Sequence, residues 1–109
     1  MAEKTATQKA PPYARFRDFY PFYLSQHANR TCRRLHFVGT SLGLLALLRA
    51  LATLNFWWLL AGVAAGYLLA WVGHFFFEKN RPATFSHPLY SFIGDWVMWK
   101  DMIVGRIRF

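Results

Sequence analysis

Four histidines are the side chains of this sequence best suited to chemistry: His27, His36, His74 and His87. A neutral imidazole binds iron, zinc, copper or nickel without the help of a carboxylate. His36 stands 18 residues before Leu54, and His74 stands 18 residues after Phe56. If helices lead from a turn at 54–56 to both histidines, the two imidazoles lie at one level, about 27 Å from the turn. The other two histidines flank these helix ends, so the spacing predicts one metal site of four histidines.

Two carboxylates follow these histidines closely enough to assist them. Glu78 is four residues after His74, on the same face if the helix continues, and Asp95 follows the loop that holds His87. Each is predicted to be a ligand or an acceptor that fixes an imidazole tautomer.

The single cysteine, Cys32, excludes a disulfide within the chain, and we interpret it as structural.

The composition indicates a small membrane domain. The chain has 109 residues, 55% of them hydrophobic, and a formal net charge of +8. This length fits one domain, and the apolar content excludes a disordered, collagen-like or coiled-coil chain. Residues 50–77 contain no Asp, Glu, Lys or Arg. Because one crossing needs only about 20 residues, the apolar region from Leu35 predicts two crossings joined at Leu54 and Asn55.

The predicted fold is therefore all-α: an integral membrane hairpin of two transmembrane helices with interfacial or re-entrant helices beside it. Residues 13–109 form its single membrane domain. Ser91 is the expected N-cap of the last helix. The predicted segments are a disordered lead (1–12), an interfacial helix kinked or restarted at Pro21 (13–30), transmembrane helices (35–54 and 56–77), a loop (78–90) and an interfacial or re-entrant helix (91–107).

The charge distribution predicts the orientation. Residues 1–36 carry seven Lys and Arg and residues 78–109 carry five, whereas Arg49 is the one basic residue between them. By the positive-inside rule, both termini of this multi-pass protein face the cytoplasm, in a bacterial inner membrane or in the endoplasmic reticulum of a eukaryote. Topology and anionic headgroups explain the basic clusters without nucleic acid.

Two glycine pairs predict close helix packing, within one chain or between chains. They are Gly39 with Gly43 and Gly62 with Gly66, each at the spacing that lets membrane helices approach. Since a two-helix hairpin is a small body in a bilayer, we expect a homo-oligomer.

Three stretches resemble one family, in order: HANRTCRRLHFVG at 27–39, GHFFFEKNRP at 73–82 and HPLYSFIGD at 87–95. Together they are similar to the small membrane proteins related to the fungal endoplasmic-reticulum 2-hydroxy-fatty-acid dioxygenase, a group with many bacterial members. The resemblance covers about residues 18–105.

The resemblance implies an Fe(II)-dependent dioxygenase of fatty-acid α-oxidation. Such an enzyme converts a 2-hydroxy fatty acid and O2 to the acid one carbon shorter, with release of CO2. The family's essential histidines map onto His27, His36, His74 and His87, which the resemblance makes both metal-binding and catalytic.

The substrate's negative charge would meet basic residues at the interface, and two amides would hydrogen-bond substrate or oxygen. The alkyl tail would enter the gap between the helices or pass directly into lipid. The predicted substrate-binding residues are Asn29, Arg30, Arg34, Asn80 and Arg81, with Arg33 and Lys79 as further basic groups.

Three alternatives remain on the sequence alone. The chain is a bis-histidine haem protein with His36 and His74 as axial ligands, a non-catalytic membrane scaffold, or a different metal-dependent lipid enzyme such as a zinc hydrolase.

Overall fold

The structure is a computed structural model that describes residues 13–109, so the predicted lead at 1–12 lies outside the described residues. Within this range every element is a helix, and the predicted all-α fold is confirmed. The elements are α1 (Phe16–Ser25), α2 (Arg30–Thr53), α3 (Trp57–Val72) with a π-helical continuation (Gly73–Glu78), a 3-10 turn (Ala83–Phe85) and α4 (Pro88–Ile103).

Two helices are long and apolar enough to cross a membrane: α2, and α3 together with its π-helical continuation. Only 17% and 22% of their most apolar stretches are buried inside the protein. A core helix of a soluble protein would be mostly buried, whereas these helices present their apolar side chains outward. The chain therefore associates with a membrane through this hairpin.

The hairpin turns at Leu54 and Asn55. Leu54 adopts a left-handed backbone with φ of 55°, which ends α2. The Asn55 side chain then accepts a hydrogen bond from the Trp57 amide at 3.2 Å, where α3 begins.

Helix α2 begins at Arg30, five residues before the start at 35 that was predicted for the first transmembrane helix. Asn29 is its N-cap, because its side chain accepts a hydrogen bond from the Cys32 amide at 3.1 Å. The Asn29 amide in turn donates to the Glu78 carboxylate, which joins the start of α2 to the end of the π-helical segment. Hydropathy places the start too late because this cap and the first helical turn are polar.

Both glycine pairs serve the contact between α2 and α3 of the same chain. A Cβ atom added to Gly39 would lie 3.0 Å from the Gly66 carbonyl oxygen, and one added to Gly62 would lie 2.6 Å from the Ala46 Cβ. The two helices thus approach so closely at Gly39 and Gly62 that a larger residue at either position would force its neighbours to shift.

Helices α1 and α4 pack together beside one end of the hairpin. Tyr20 donates a hydrogen bond to the Asp101 carboxylate at 2.8 Å, and Tyr23 donates to Asp95. Helix α1 runs through Pro21 without interruption and ends at Ser25, so the predicted helix at 13–30 is too long and is not restarted at the proline. The buried core of this region is Tyr13, Phe19, Tyr23, Ala83, Met98 and Met102.

The last helix begins earlier than predicted. Pro88 occupies its first position, where a missing amide proton costs nothing, so α4 spans Pro88–Ile103 rather than 91–107. Ser91 is consequently a buried helical residue and not the N-cap. The predicted loop at 78–90 contains the 3-10 turn Ala83–Phe85.

Candidate metal centre

Three of the four histidines meet where α1, α2 and the π-helical segment converge. His27 follows α1, His36 lies on α2 and His74 lies in the π-helical segment. All three are buried, with 2%, 4% and 2% of their surface exposed. Their ring centroids are 4.3–4.9 Å apart, and the ring planes are nearly perpendicular to one another, at 77–89°. The rings therefore surround one point from three sides.

Each of these imidazoles presents its Nδ1 atom to a carbonyl oxygen. The His27 Nδ1 lies 2.6 Å from the Tyr23 backbone oxygen, and the His36 Nδ1 lies 3.0 Å from the Cys32 backbone oxygen. The His74 Nδ1 lies 2.8 Å from the Asn80 side-chain oxygen. Because a carbonyl oxygen only accepts hydrogen bonds, each Nδ1 is the protonated nitrogen. Each Nε2 therefore keeps a free lone pair, as a metal ligand requires.

Hydrogen bonds of its side-chain nitrogen hold the Asn80 side chain in this orientation. Its nitrogen donates to the Gln26 backbone oxygen at 3.1 Å and to the Gln26 side-chain oxygen at 3.2 Å. Lys79 has a left-handed backbone with φ of 61°. The backbone amide of Asn80 donates a hydrogen bond to the His74 backbone oxygen at 3.1 Å. The chain therefore turns back directly after the π-helical segment and returns Asn80 to His74.

The distances suit a transition metal. The Nε2 atoms of His27 and His36 are 3.0 Å apart. Two lone pairs facing each other at this distance repel unless a cation lies between them. At metal–nitrogen distances of about 2.1 Å, two neighbouring ligands of one ion are separated by about 3 Å. The donor set therefore fits a divalent metal ion held by three neutral imidazoles.

Electrostatics keep His27 in the form that binds metal. Burial is the main cause that lowers the pKa of His27 well below its usual value, and the neighbouring His36 and His74 lower this pKa further. His27 therefore stays neutral near pH 7.

Cys32 is the fourth member of this buried group. The potential ligand atoms of Cys32 and the three histidines all lie within 4.8 Å of one another. However, the Cys32 sulfur lies 3.7 Å from the His36 Nδ1, on the side away from the free lone pair, and it packs against Gly73. The sequence signal for this placement is the four-residue spacing from Cys32 to His36, which puts both on one helical face.

The structure does not bring His87 to the other three histidines, contrary to the predicted four-histidine site. Its Nε2 atom accepts a hydrogen bond from the Tyr13 amide at 3.3 Å, and its Nδ1 atom lies 2.9 Å from the Ser86 hydroxyl oxygen. Its ring packs against Phe19, with ring centroids 5.2 Å apart. His87 thus joins the start of the described chain to the beginning of α4.

Glu78 and Asp95 were predicted to be metal ligands or acceptors of an imidazole, but their hydrogen bonds are to other groups. Within residues 13–109, neither Glu78 nor Asp95 hydrogen-bonds to an imidazole: Glu78 accepts from the Asn29 amide, and Asp95 accepts from the Tyr23 hydroxyl. Tyr23, which the sequence analysis missed, stacks on His27 with ring centroids 4.1 Å apart. Burial raises the pKa of Asp95 to about 7 and raises the pKa of Tyr23 well above its usual value, so both groups keep their protons to a higher pH than exposed groups do.

Of the predicted substrate-binding residues, Asn80 alone hydrogen-bonds to an imidazole in the described part of the chain. Asn29 caps α2 and Asn80 orients His74, which are structural tasks. Arg34 donates to the Phe109 backbone oxygen at 3.1 Å, while Arg30 and Arg81 are exposed. The three arginines therefore form a basic surface at this end of the hairpin rather than a lining of the site.

The arrangement excludes one alternative. A haem iron with His36 and His74 as axial ligands needs the porphyrin plane between the two rings. These rings are 4.9 Å apart at their centroids, and the His27 ring lies within 4.5 Å of both. No space remains for a porphyrin, so the bis-histidine haem hypothesis is wrong.

The comparisons agree with the resemblance that the three motifs predicted. A family model described as 2-hydroxy-palmitic acid dioxygenase Mpo1-like matches residues 13–107. No curated protein and no solved structure is similar enough to match the chain. Because the family model matches most of the sequence, from the start of the described residues almost to their end, the chain belongs to the 2-hydroxy-palmitic acid dioxygenase Mpo1-like family.

Proposed function

We propose that this protein is an Fe(II)-dependent membrane dioxygenase of fatty-acid α-oxidation. It converts a 2-hydroxy fatty acid and O2 to the acid one carbon shorter, CO2 and water. The substrate supplies all four electrons that reduce O2, so the reaction needs no external reductant. The observation that carries the proposal is the convergence of three imidazoles whose Nδ1 atoms are all bonded to carbonyl oxygens, in a chain of this family.

His27, His36 and His74 would hold the metal through their Nε2 atoms. When bound, Fe(II) supplies the electron chemistry by which O2 reacts, and three protein ligands leave positions for O2 and substrate. The protein's own part is to keep the three imidazoles neutral and oriented. It also excludes bulk water, since all three rings are buried.

The basic end of the hairpin would attract the substrate. Arg30, Arg34 and Arg81 are exposed close in sequence to the histidine-bearing segments. Their charges favour an anionic carboxylate at this end and raise its local concentration. We assign Arg30, Arg34 and Arg81 this long-range role, with Asn29 and Asn80 positioning the helix start and His74.

Topology would place the reaction on the cytoplasmic side of the membrane. Basic residues are concentrated before α2 and after the π-helical segment, which puts both termini in the cytoplasm by the positive-inside rule. The imidazoles lie at the same end of the hairpin as these termini. A site at this level receives O2 from the adjacent hydrocarbon and substrate from the membrane.

Elemental analysis and turnover test the proposal together. Protein purified in detergent without chelators is expected to retain about one iron per chain and to consume O2 with 2-hydroxypalmitate but not with palmitate. The His36→Ala/His74→Ala variant is expected to lose both the iron and the oxygen consumption, because a single imidazole remains.

His87→Ala is the matched control, since His87 lies outside the cluster. This variant is expected to keep its iron. Stoichiometric zinc without oxygen consumption would instead support a zinc hydrolase, and protein that retains no transition metal would support a scaffold. Oxygen consumption by an iron-free double variant would refute the proposal.

A further inference from the structure

A cavity between the two long helices begins at the metal centre. Its volume is about 220 Å³. His36 and Asp95 line one end, and Leu47 and Leu59 line the other. The walls between these ends are mostly apolar, so the polar groups of the lining are concentrated at the end that holds the metal centre.

Glycines create this space. Close contacts at Gly39 and Gly62 hold α2 and α3 together on either side of it. Gly43 differs, because a Cβ atom added to it would meet no other atom within 4 Å. Gly43 therefore faces the open part of the cavity, and a larger side chain at this position would project into the space without touching the opposite backbone.

The cavity is elongated along the hairpin. Gly43 lies seven residues after His36, which is about 10 Å along the helix axis, and Leu47 lies about 16 Å from His36. A linear molecule with its head at the imidazoles would therefore pass Gly43 before it reached Leu47. Phe92 and Trp96 of α4 line the head end, whereas Leu47 and Leu59 are both more than a third exposed at the far end.

We propose that this cavity holds the alkyl chain of the substrate and that Gly43 determines how long a chain is accepted. The inference rests on the proposed function and assigns the chain to the space between the helices instead of bulk lipid. Three features support it: His36 of the metal centre lines the cavity, the polar groups lie at that end, and the two leucines that line the far end are more than a third exposed.

Gly43→Leu tests the assignment, with Ala64→Leu as the matched control. Ala64 is exposed on α3 and does not line the cavity, so the control adds comparable bulk on the lipid side. Iron-loaded protein is assayed with 2-hydroxyoctanoate, 2-hydroxylaurate and 2-hydroxypalmitate. Each methylene group displaced from an apolar site costs about fourfold in binding. Because the added leucine displaces about three methylene groups, Gly43→Leu is expected to lower the ratio of kcat/KM for 2-hydroxypalmitate to that for 2-hydroxyoctanoate roughly 60-fold, while Ala64→Leu leaves this ratio unchanged.

Substitutions at the far end of the cavity are expected to change the same ratio in the opposite direction. Leu47→Ala/Leu59→Ala is expected to raise the ratio in favour of the longest acid, because it enlarges the far end of the cavity that these side chains line. This double variant also keeps the inference testable if Gly43→Leu fails to fold. Unchanged ratios in whichever of the two cavity variants folds would overturn the inference.

A photolabelling measurement separates this inference from the proposed reaction. A 2-hydroxy fatty acid with a diazirine near its methyl end is irradiated with the detergent-solubilised protein, and the labelled peptides are identified. Label at Leu47 and Leu59 that is lost in Gly43→Leu supports the cavity assignment, even if no 2-hydroxy acid is turned over and the proposed function fails. Label spread over outward residues such as Leu45 would place the chain in bulk lipid. A third outcome is that the cavity of the wild type takes no label and that Gly43→Leu loses self-association. The cavity would then be occupied by a second copy of the chain. Both of these outcomes overturn the inference.

Discussion

The two ends of the hairpin are built on different principles. At the imidazole end, four helical segments converge and every buried ring nitrogen Nδ1 has a carbonyl partner. At the turn end, residues 51–61 are all exposed, although most of them are apolar. The first end is stabilised by contacts within the protein, whereas the second requires lipid around it.

This difference separates two demands on the sequence. The imidazole end needs particular residues at particular positions, because its hydrogen bonds have defined donors and acceptors. The turn end needs only apolar side chains and a residue that ends the helix. Substitutions at the imidazole end should therefore change metal binding and stability, and substitutions at the turn end should change neither by much.

The largest effect is expected where the helices approach most closely. Gly39→Leu places a side chain against the Gly66 carbonyl oxygen and Cα atom, which cannot move aside, and it lies one helical turn from His36. We expect a loss of stability of about 1–3 kcal/mol and a strong decrease in bound iron. Unfolding in detergent and iron analysis measure both. Ala64→Leu is the control on the lipid-facing surface, and equal effects of the two variants would contradict the comparison.

The next effect concerns Asn80, whose side chain orients the His74 imidazole. Asn80→Ala removes the oxygen that fixes the His74 tautomer. We expect the affinity for Fe(II) to decrease about 10–100-fold, as measured by competition with a chelator. Asn55→Ala removes a side-chain hydrogen bond at the turn end and should leave this affinity unchanged. If both asparagine variants bind iron like the wild type, the His74 orientation does not depend on Asn80.

The Asp95 carboxyl group should give the imidazole end a distinct pH dependence. Its pKa is raised to about 7 in the folded protein, against about 3.9 for an ordinary aspartate, so the folded state binds this proton more tightly than the unfolded state. The contribution of Asp95 to stability is therefore greatest below about pH 4 and decreases as the pH rises to about 7. Asp95→Asn cannot lose a proton and still accepts the hydrogen bond from Tyr23.

Unfolding midpoints of the wild type and Asp95→Asn, measured across this range, test the effect. The variant is expected to gain stability relative to the wild type as the pH rises from about 4 to about 7, and to keep that gain above pH 7. A constant difference between the two proteins over the whole range would show that this carboxyl group has an ordinary pKa.

The smallest effect is expected at the turn end. The Arg49 guanidinium lies over the Trp58 ring, 5.6 Å from its centroid, and both side chains are exposed. Arg49→Gln should cost about 0.5 kcal/mol of stability and leave the iron content unchanged. Loss of iron in this variant would mean that the turn end affects metal binding, and it would contradict the comparison of the two ends.

Hydropathy and spacing predict the hairpin well because both depend on helix geometry alone. The charge-free stretch predicts two long apolar helices, and the equal distances of His36 and His74 from the turn predict their common level. The start of α2 is less accessible to such reasoning, since it depends on the polar cap at Asn29. The π-helical segment is not predictable from an α-helical period, because its residues follow a wider turn.

Loop residues limit the prediction of the site. His87 has the right residue type, but its place depends on how the chain turns after Pro82, and the spacing along the sequence contains no information about that turn. Asn80 was predicted to contact substrate, whereas the left-handed Lys79 turns it back to His74. Periodicity relates residues on one helix and leaves contacts across loops open.

Two of the three imidazoles are oriented by main-chain oxygens, those of Tyr23 and Cys32, which lie four positions before the histidines they bind. Every amino acid carries that oxygen, so point mutations at these two positions leave the acceptors in place as long as the helices form. Only the anchor of His74 depends on residue identity. The orientation of His27 and His36 therefore tolerates substitution of the residues that supply their acceptors, whereas the orientation of His74 does not.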